Sequence, residues 1–202
     1  MVGTGVSQLL LNYYISINNI FMFLLYMKPS YIDLIGYYGP IILTVSSLFL
    51  LYSKKTYLVI YIIGFVLNIV VNNILKQIIK QPRPKGDFDI FDPSKKHNYG
   101  HNPIQVYGMP SGHSQMVLYS TTFIYLVLKN IPLTLLYLLI SLNTIFQRVR
   151  YKNHTVMQVI VGSLVGALVA YFVYKYATSS LVGKLKTKPD DNAREITDGY
   201  FY

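Results

Sequence analysis

Long apolar runs dominate this chain and decide what it can become. A helix that crosses the hydrocarbon core of a bilayer needs about 20 largely apolar residues. Six stretches approach that length: about 8–27, 34–52, 57–79, 113–129, 131–148 and 154–175. A helix packed in a soluble bundle keeps one polar face for water, and none of these segments has one of useful width. Only 13% of the residues are charged, whereas soluble domains carry about 25%, so a soluble helical bundle is excluded. The expected fold is all-α: a polytopic bundle of six transmembrane helices over residues 1–177, followed by a polar C-terminal tail over 178–202. Asn12, Asn18 and Asn19 make the first segment the weakest. Met1 to Leu11 contains no lysine or arginine, so that segment reads as a retained helix and not as a cleaved signal. Lys129, Asn130 and Pro132 make a tight turn between the fourth and fifth segments. With 20 tyrosines and no tryptophan, tyrosine furnishes the interfacial belt.

The formal charge of +10 points to an anionic partner. A nucleic-acid track is not the expected one, because the basic residues form no continuous stripe. They sit between the apolar runs, at 76–96, 148–152 and 175–194, where membrane ends and an anion site would want them. Cysteine is absent, which removes disulfides and thiolate chemistry. Four histidines without cysteine leave little to build a structural zinc site.

If every segment spans, the end of the third, the starts of the fourth and sixth and the end of the fifth emerge on one side. The unusual polar residues gather at these four ends, beside the one long polar loop, about 80–112. Prolines at 82, 84, 93, 103 and 110 deny that loop a continuous helix. The first cluster is "KQIIKQPRP". Asn68, Asn72, Lys76 and Lys80 recur every four residues and share a helical face, with Lys76 deep and Lys80 able to snorkel to the interface. Arg83, between two prolines, presents a rigid guanidinium suited to a phosphate or carboxylate.

The second cluster is "YGMPSGHSQ". Pro110 reads as a helix start, Ser111 as its cap and Gly112 as an open amide, so the first turn forms an anion nest. His113 in that turn can donate a proton to a leaving oxygen. The third cluster is "QRVRYKNHTVMQV". Arg148 stands at the junction of the last two segments. His154 and Gln158, four residues apart, are expected on one helix face. A nucleophilic histidine needs one ring nitrogen free and the other held by an acceptor, and the Gln158 amide oxygen can serve. Arg150 and Lys152 read as interfacial. The three clusters together fit phosphoryl transfer: cations neutralise the phosphoryl oxygens, one histidine attacks and the other protonates the leaving group. Few acidic residues flank the clusters, although the loop holds Asp87, Asp89 and Asp92; a two-metal site would want several carboxylates around the substrate, so no metal and no cofactor are expected.

These residues resemble the motifs of the type 2 phosphatidic acid phosphatase superfamily of membrane lipid phosphatases. That family carries a Lys and an Arg-Pro separated by six residues, a Pro-Ser-Gly/Ser-His element, and an Arg and a His separated by five residues, the His followed by an Asp after three more. Lys76 and Arg83-Pro84 match the first, Pro110 to His113 the second, and Arg148 and His154 the third. The wording is most similar to the dolichyl-diphosphatase group, which also has Gln where the superfamily has Asp, here Gln158. The resemblance covers about residues 50–175. It implies removal of the terminal phosphate of a polyprenyl diphosphate, at the lumenal face of the endoplasmic reticulum, in the service of N-glycosylation. It implies His154 as the nucleophile that becomes phosphohistidine and His113 as the acid. It assigns the phosphoryl oxygens to Lys76, Arg83, Ser111, Gly112 and Arg148.

The expected partners are a lipid phosphate and the bilayer. Lys54, Lys55, Lys129, Lys175 and the basic tail fall on the side away from the site, and the positive-inside rule makes that side cytosolic, both termini included. Gly162 and Gly166 form a small-xxx-small pair that serves either packing inside the bundle, the preferred reading, or a dimer contact. "NHT" at 153–155 fits the glycosylation pattern but is expected to be unused. The rival functions are hydrolysis of phosphatidate, a sphingoid phosphate or undecaprenyl diphosphate, anion transport without hydrolysis, and a catalytically dead relative, at which only Gln158 hints.

Overall fold

The computed structural model describes residues 30–86, 89, 91 and 106–182. Five α-helices stand in them: α1 Tyr31–Leu50, α2 Lys55–Ile79, α3 Gly112–Leu128, α4 Ile131–Arg150 and α5 Val156–Tyr176, the last running on into a π-helical segment, Ala177–Val182. They match the second to sixth expected spans to within a few residues. The first expected span, 8–27, lies outside the described residues, and so do most of the 80–112 loop, with Asp87 and Asp92, and the tail from 183. Four helices, α1, α2, α4 and α5, are long and apolar enough to cross a membrane.

Local chemistry sets the helix ends. Ser30 and Asp33 close a reciprocal capping box on α1, with the Asp33 N–H donating to the Ser30 hydroxyl at 3.2 Å and the Ser30 N–H donating to the Asp33 carboxylate at 3.1 Å. Asn130 caps α4 by accepting from the Leu133 N–H at 2.9 Å, and Pro132 follows in the first turn, where its missing N–H costs nothing. The Lys80 and Lys129 residues end α2 and α3 in left-handed conformation, at φ 50° and 49°.

The shortest helix, α3, packs against all four others and is the centre of the bundle. Its buried faces carry hydroxyls as well as hydrocarbon. Ser120 bonds the Tyr61 hydroxyl on α2 at 2.7 Å, Thr121 bonds Ser141 on α4 at 2.8 Å, and the Tyr119 hydroxyl donates to the Tyr61 carbonyl at 2.9 Å. In lipid, where apolar faces gain nothing by leaving hydrocarbon for one another, such interhelical bonds hold helices together at about 1 kcal/mol each. The outward faces are apolar instead: Ile63, Leu139 and Phe172 remain 63%, 66% and 64% exposed. A bundle with polar groups inside and hydrocarbon outside is shaped for a bilayer.

The Gly162–Gly166 pair resolves in favour of packing inside the bundle. A Cβ at Gly162 would stand 2.5 Å from the Ser111 carbonyl oxygen, and one at Gly166 would collide with the Gln115 backbone. The missing side chains let α5 lie directly against the start of α3, which carries the Ser111–His113 turn.

The helices alternate in direction, so the start of α1, the end of α2, the start of α3, the end of α4 and the start of α5 share one end of the bundle. A salt bridge from Arg150 to Asp33, 2.9 Å long, ties α4 to α1 at that end. The interfacial role read for Arg150 thus becomes a specific helix-to-helix link.

Candidate active site

The site is assembled on a short backbone rail. After α2 stops at Lys80, residues 81–83 run antiparallel to 107–108, with a bridge between Pro82 and Tyr107 and the Gly108 N–H donating to the Gln81 carbonyl at 2.8 Å. Two consecutive carbonyls of this rail each receive a side chain. The Lys76 ammonium donates to Tyr107 O at 2.9 Å, and His154 Nδ1 lies 2.9 Å from Gly108 O. Lys76 sits on the face foreseen from Asn68 and Asn72 and is buried with them, whereas Lys80 is exposed.

His154 is not on α5, contrary to the sequence expectation. The helix begins at Val156, with Thr155 as its N-cap, and Gln158 is the N3 partner of a capping box. The Gln158 amide oxygen accepts from the Thr155 N–H at 3.1 Å, while Thr155 Oγ1 accepts from the Gln158 N–H at 3.2 Å. That leaves the same amide oxygen 3.3 Å from His154 Nδ1, farther than the Gly108 carbonyl. The turn that holds His154 folds back on α4: the N–H groups of Asn153 and His154 both donate to Arg148 O, at 3.0 and 3.1 Å. Asn153 is 3% exposed, which closes the glycosylation pattern at 153–155.

The contacts fix the tautomer. A carbonyl oxygen only accepts and a guanidinium only donates. Nδ1, facing Gly108 O, therefore carries the proton, and Nε2, 2.9 Å from Arg83 NH1, presents its lone pair. Arg83 also donates through the same nitrogen to Asn153 O at 2.8 Å. The residue responsible for aligning the imidazole is thus first of all Gly108, through its backbone. Gln158 assists and is itself held, its amide nitrogen donating to Pro82 O at 2.9 Å and to Gln81 Oε1 at 3.1 Å. A Cβ at Gly108 would come within 2.5 Å of that amide, so the rail passes only because position 108 has no side chain.

Arg148 is buried. Its Nε donates to Gln147 Oε1 at 2.6 Å, and its guanidinium carbon lies 5.1 Å from the centre of the Tyr37 ring. His113 stands in the first turn of α3, partly exposed, with its ring centroid 6.1 Å from that of Tyr37. Pro110 does not start the helix; Gly112 does. Ser111 is at the N-cap, yet its side chain makes no capping bond. Its hydroxyl accepts from Ser114 at 3.1 Å and its N–H donates to the Gln158 carbonyl at 3.0 Å, which pins the turn to α5. A side chain at Gly112 would meet only Asn72, at an ordinary 3.5 Å. Below the turn, Asn72 donates to Pro110 O at 3.3 Å and to Gln115 Oε1 at 2.7 Å, and Gln115 donates to Asn68 Oδ1 at 2.8 Å. This buried amide ladder, which the motif reading did not include, steadies the turn from α2.

Burial, then the charges of Arg83, Lys76, Arg148 and His113, hold His154 well below the usual histidine range. The imidazole stays neutral as the pH falls through its ordinary value of 6.5, the state a nucleophile requires. A histidine-ring NMR titration of the phosphate-free protein is expected to show His154 unprotonated at pH 6.5 and for some distance below it. A midpoint at or above 6.5 would contradict this environment. The unfolded chain takes up that proton and the native one does not, so this group erodes stability as the pH drops from 6.5 toward the depressed folded value.

Lys76, Arg83 and Arg148 thus surround one neutral imidazole at the mouth of an apolar bundle. Among the described residues no carboxylate pairs with Lys76. Cations brought this close together want an anion between them. A family model described as the PAP2 superfamily matches residues 57–180, the stretch that holds α2 to α5 and leaves out α1. None of the curated proteins and none of the solved structures matches the chain.

Proposed function

The chain belongs to the PAP2 superfamily, hydrolases that remove phosphate from lipid phosphates, and on that premise we propose that it cleaves the terminal phosphate of a polyprenyl diphosphate such as dolichyl diphosphate. One observation carries the mechanism: His154 has its Nδ1 proton committed to Gly108 O and its Nε2 lone pair turned toward the cations.

The diphosphate headgroup enters from the membrane boundary while the prenyl tail stays in lipid. Arg83 leaves Nε2 for a phosphoryl oxygen, and Lys76 and Arg148 take the others together with the Gly112 amide and the Ser111 hydroxyl proton. Nε2 attacks phosphorus, the bridging P–O bond breaks, and the prenyl monophosphate leaves with a proton from His113. The phosphohistidine is then hydrolysed by water, which gives its proton back to His113, and inorganic phosphate departs. Charge on the equatorial oxygens is met by preorganised cations in a site of low dielectric, where they act most strongly.

Both acceptors on Nδ1, the Gly108 carbonyl and the Gln158 amide oxygen, are neutral. The imidazolium formed during attack is therefore stabilised less than a carboxylate would manage, which suits a substrate with a good leaving group. A diphosphate, which expels a phosphate monoester, is such a substrate, and a prenyl monophosphate is not. The lysines at 54, 55, 129 and 175 all lie at the end of the bundle away from His154, so the positive-inside rule favours a lumenal site, in the endoplasmic reticulum, with cytosolic termini.

Phosphate release from dolichyl diphosphate in detergent, with EDTA present, tests the reading. Release that outpaces that from dolichyl monophosphate is expected, and in sealed vesicles the activity is latent until they are permeabilised. Equal rates on the two lipids would remove the argument from Nδ1. Absence of hydrolysis with any lipid phosphate, together with anion flux across vesicles, would make the protein a transporter.

A further inference from the structure

The family match begins at residue 57, yet one side chain of the pocket comes from α1. We propose that Tyr37 is a positioning residue for the phosphate site, its ring face holding the Arg148 guanidinium in line with the incoming phosphoryl oxygens. The role rests on the reading of the pocket as an anion site.

The sequence around it is "DLIGYYGP", 33–40, and each part of it brings Tyr37 to its post. Gly36 lets α1 approach α4: a Cβ there would lie 2.9 Å from Gln147 Cβ and 3.1 Å from Asn143 O. Gly39 repeats the arrangement one turn on, where a side chain would collide with Thr144. Asp33, one turn earlier, is salt-bridged to Arg150, and Asn143 donates to Ile32 O at 2.7 Å. The seam between α1 and α4 is therefore fixed at several levels, and Tyr37 faces Arg148 within it. The same Gln147 whose stem packs at Gly36 accepts from Arg148 Nε, so one buried amide and one aromatic face hold the guanidinium from two sides.

An aromatic face suits this place. A ring attracts a cation through its quadrupole and leaves the guanidinium its net charge and its N–H donors. The Tyr37 ring also reaches the His113 ring at 6.1 Å and the Phe91 ring at 5.5 Å, so it stands between the acid and the arginine.

The test compares the full chain, in detergent, with Tyr37→Phe, Tyr37→Leu and a chain in which pentafluorophenylalanine replaces Tyr37, keeping the ring's shape while reversing the charge of its face. Affinity for inorganic phosphate is read from the phosphate-dependent rise in melting temperature, and kcat/KM is read on the lipid diphosphate. Tyr37→Phe is expected to stay close to wild type. Leucine and the fluorinated ring are expected to weaken phosphate binding by about tenfold, with no further loss once Arg148→Leu is present. The fluorinated ring carries the test by itself if the leucine variant does not fold. Phosphate affinity as high with the fluorinated ring as with phenylalanine, or a full leucine effect in the Arg148→Leu background, would overturn the assignment, as would a wild-type chain that binds no phosphate. Because binding is read without turnover, failure to hydrolyse lipid diphosphate sinks the phosphatase reading and leaves this result standing.

Discussion

His154→Ala is expected to lower phosphate release by about 10⁴-fold or more, the scale seen when a covalent nucleophile is removed and only the charge-stabilising surroundings remain. The geometry gives this variant a second, opposite signature. Arg83 NH1 is spent on Nε2 of His154 and on Asn153 O. Removing the imidazole frees one of those bonds without touching Lys76, Arg148 or the Gly112 turn. Inorganic phosphate should therefore bind His154→Ala at least as tightly as it binds wild type. Acid-labile, base-stable label from a substrate with a radioactive terminal phosphate should appear on the wild-type protein and be missing from the variant. A variant that still turned over at a tenth of the normal rate would show that His154 is not the nucleophile. One that lost phosphate binding together with activity would show that the residue holds the pocket's shape instead.

The helices were legible because a bilayer asks only for length and apolarity, and neither depends on which face packs where. The 57–79 and 131–148 runs met α2 and α4 within two residues at each end. The depth of Lys76 was legible from the four-residue spacing of Asn68, Asn72 and Lys76, since any helix brings those positions to one side. The three basic and histidine clusters converge because chain alternation admits no other arrangement of spanning helices.

What escaped has physical reasons of three kinds. Gly108 aligns His154 with a backbone carbonyl, and a carbonyl is common to every residue, so nothing in the sequence singles out that position. Tyr37 is one of 20 tyrosines in a chain where tyrosine was expected at the membrane interface, and only the α1–α4 seam brings it to Arg148. The third kind was avoidable. The capping signature "TVMQ", a Thr followed after two residues by Gln, is present at Thr155–Gln158 and marks a helix start. Reading it would have placed His154 before α5 and given Gln158 a cap to make as well as an imidazole to steady. Ser111 is the converse case: a serine at the N-cap position whose hydroxyl is turned to Ser114, because Gly162 lets α5 crowd the turn and Gln158 O takes the Ser111 N–H.

His113→Asn is the variant that separates the two halves of the reaction. Asparagine keeps the size of the side chain and a hydrogen-bonding tip but cannot exchange a proton. General acid catalysis is worth about 10²- to 10⁴-fold, and that full loss should fall on a lipid monophosphate, whose alkoxide cannot leave unprotonated. An aryl phosphate with an acidic phenol needs no such help. Its first turnover should proceed near the wild-type rate, with a burst of phenol equal to the enzyme present. The steady state after the burst should be slow, because the water that attacks the phosphohistidine has lost its base, and the intermediate should accumulate on His154. Rapid-quench measurement of both phases checks this. His113 is partly exposed in the first turn of α3, with its ring beside Tyr37 and its charge felt at His154, a placement that suits the acid role proposed for it. If the burst disappeared along with the steady state, His113 would belong with Lys76 and Arg83 as a phosphate-binding group, and the leaving oxygen would need another acid.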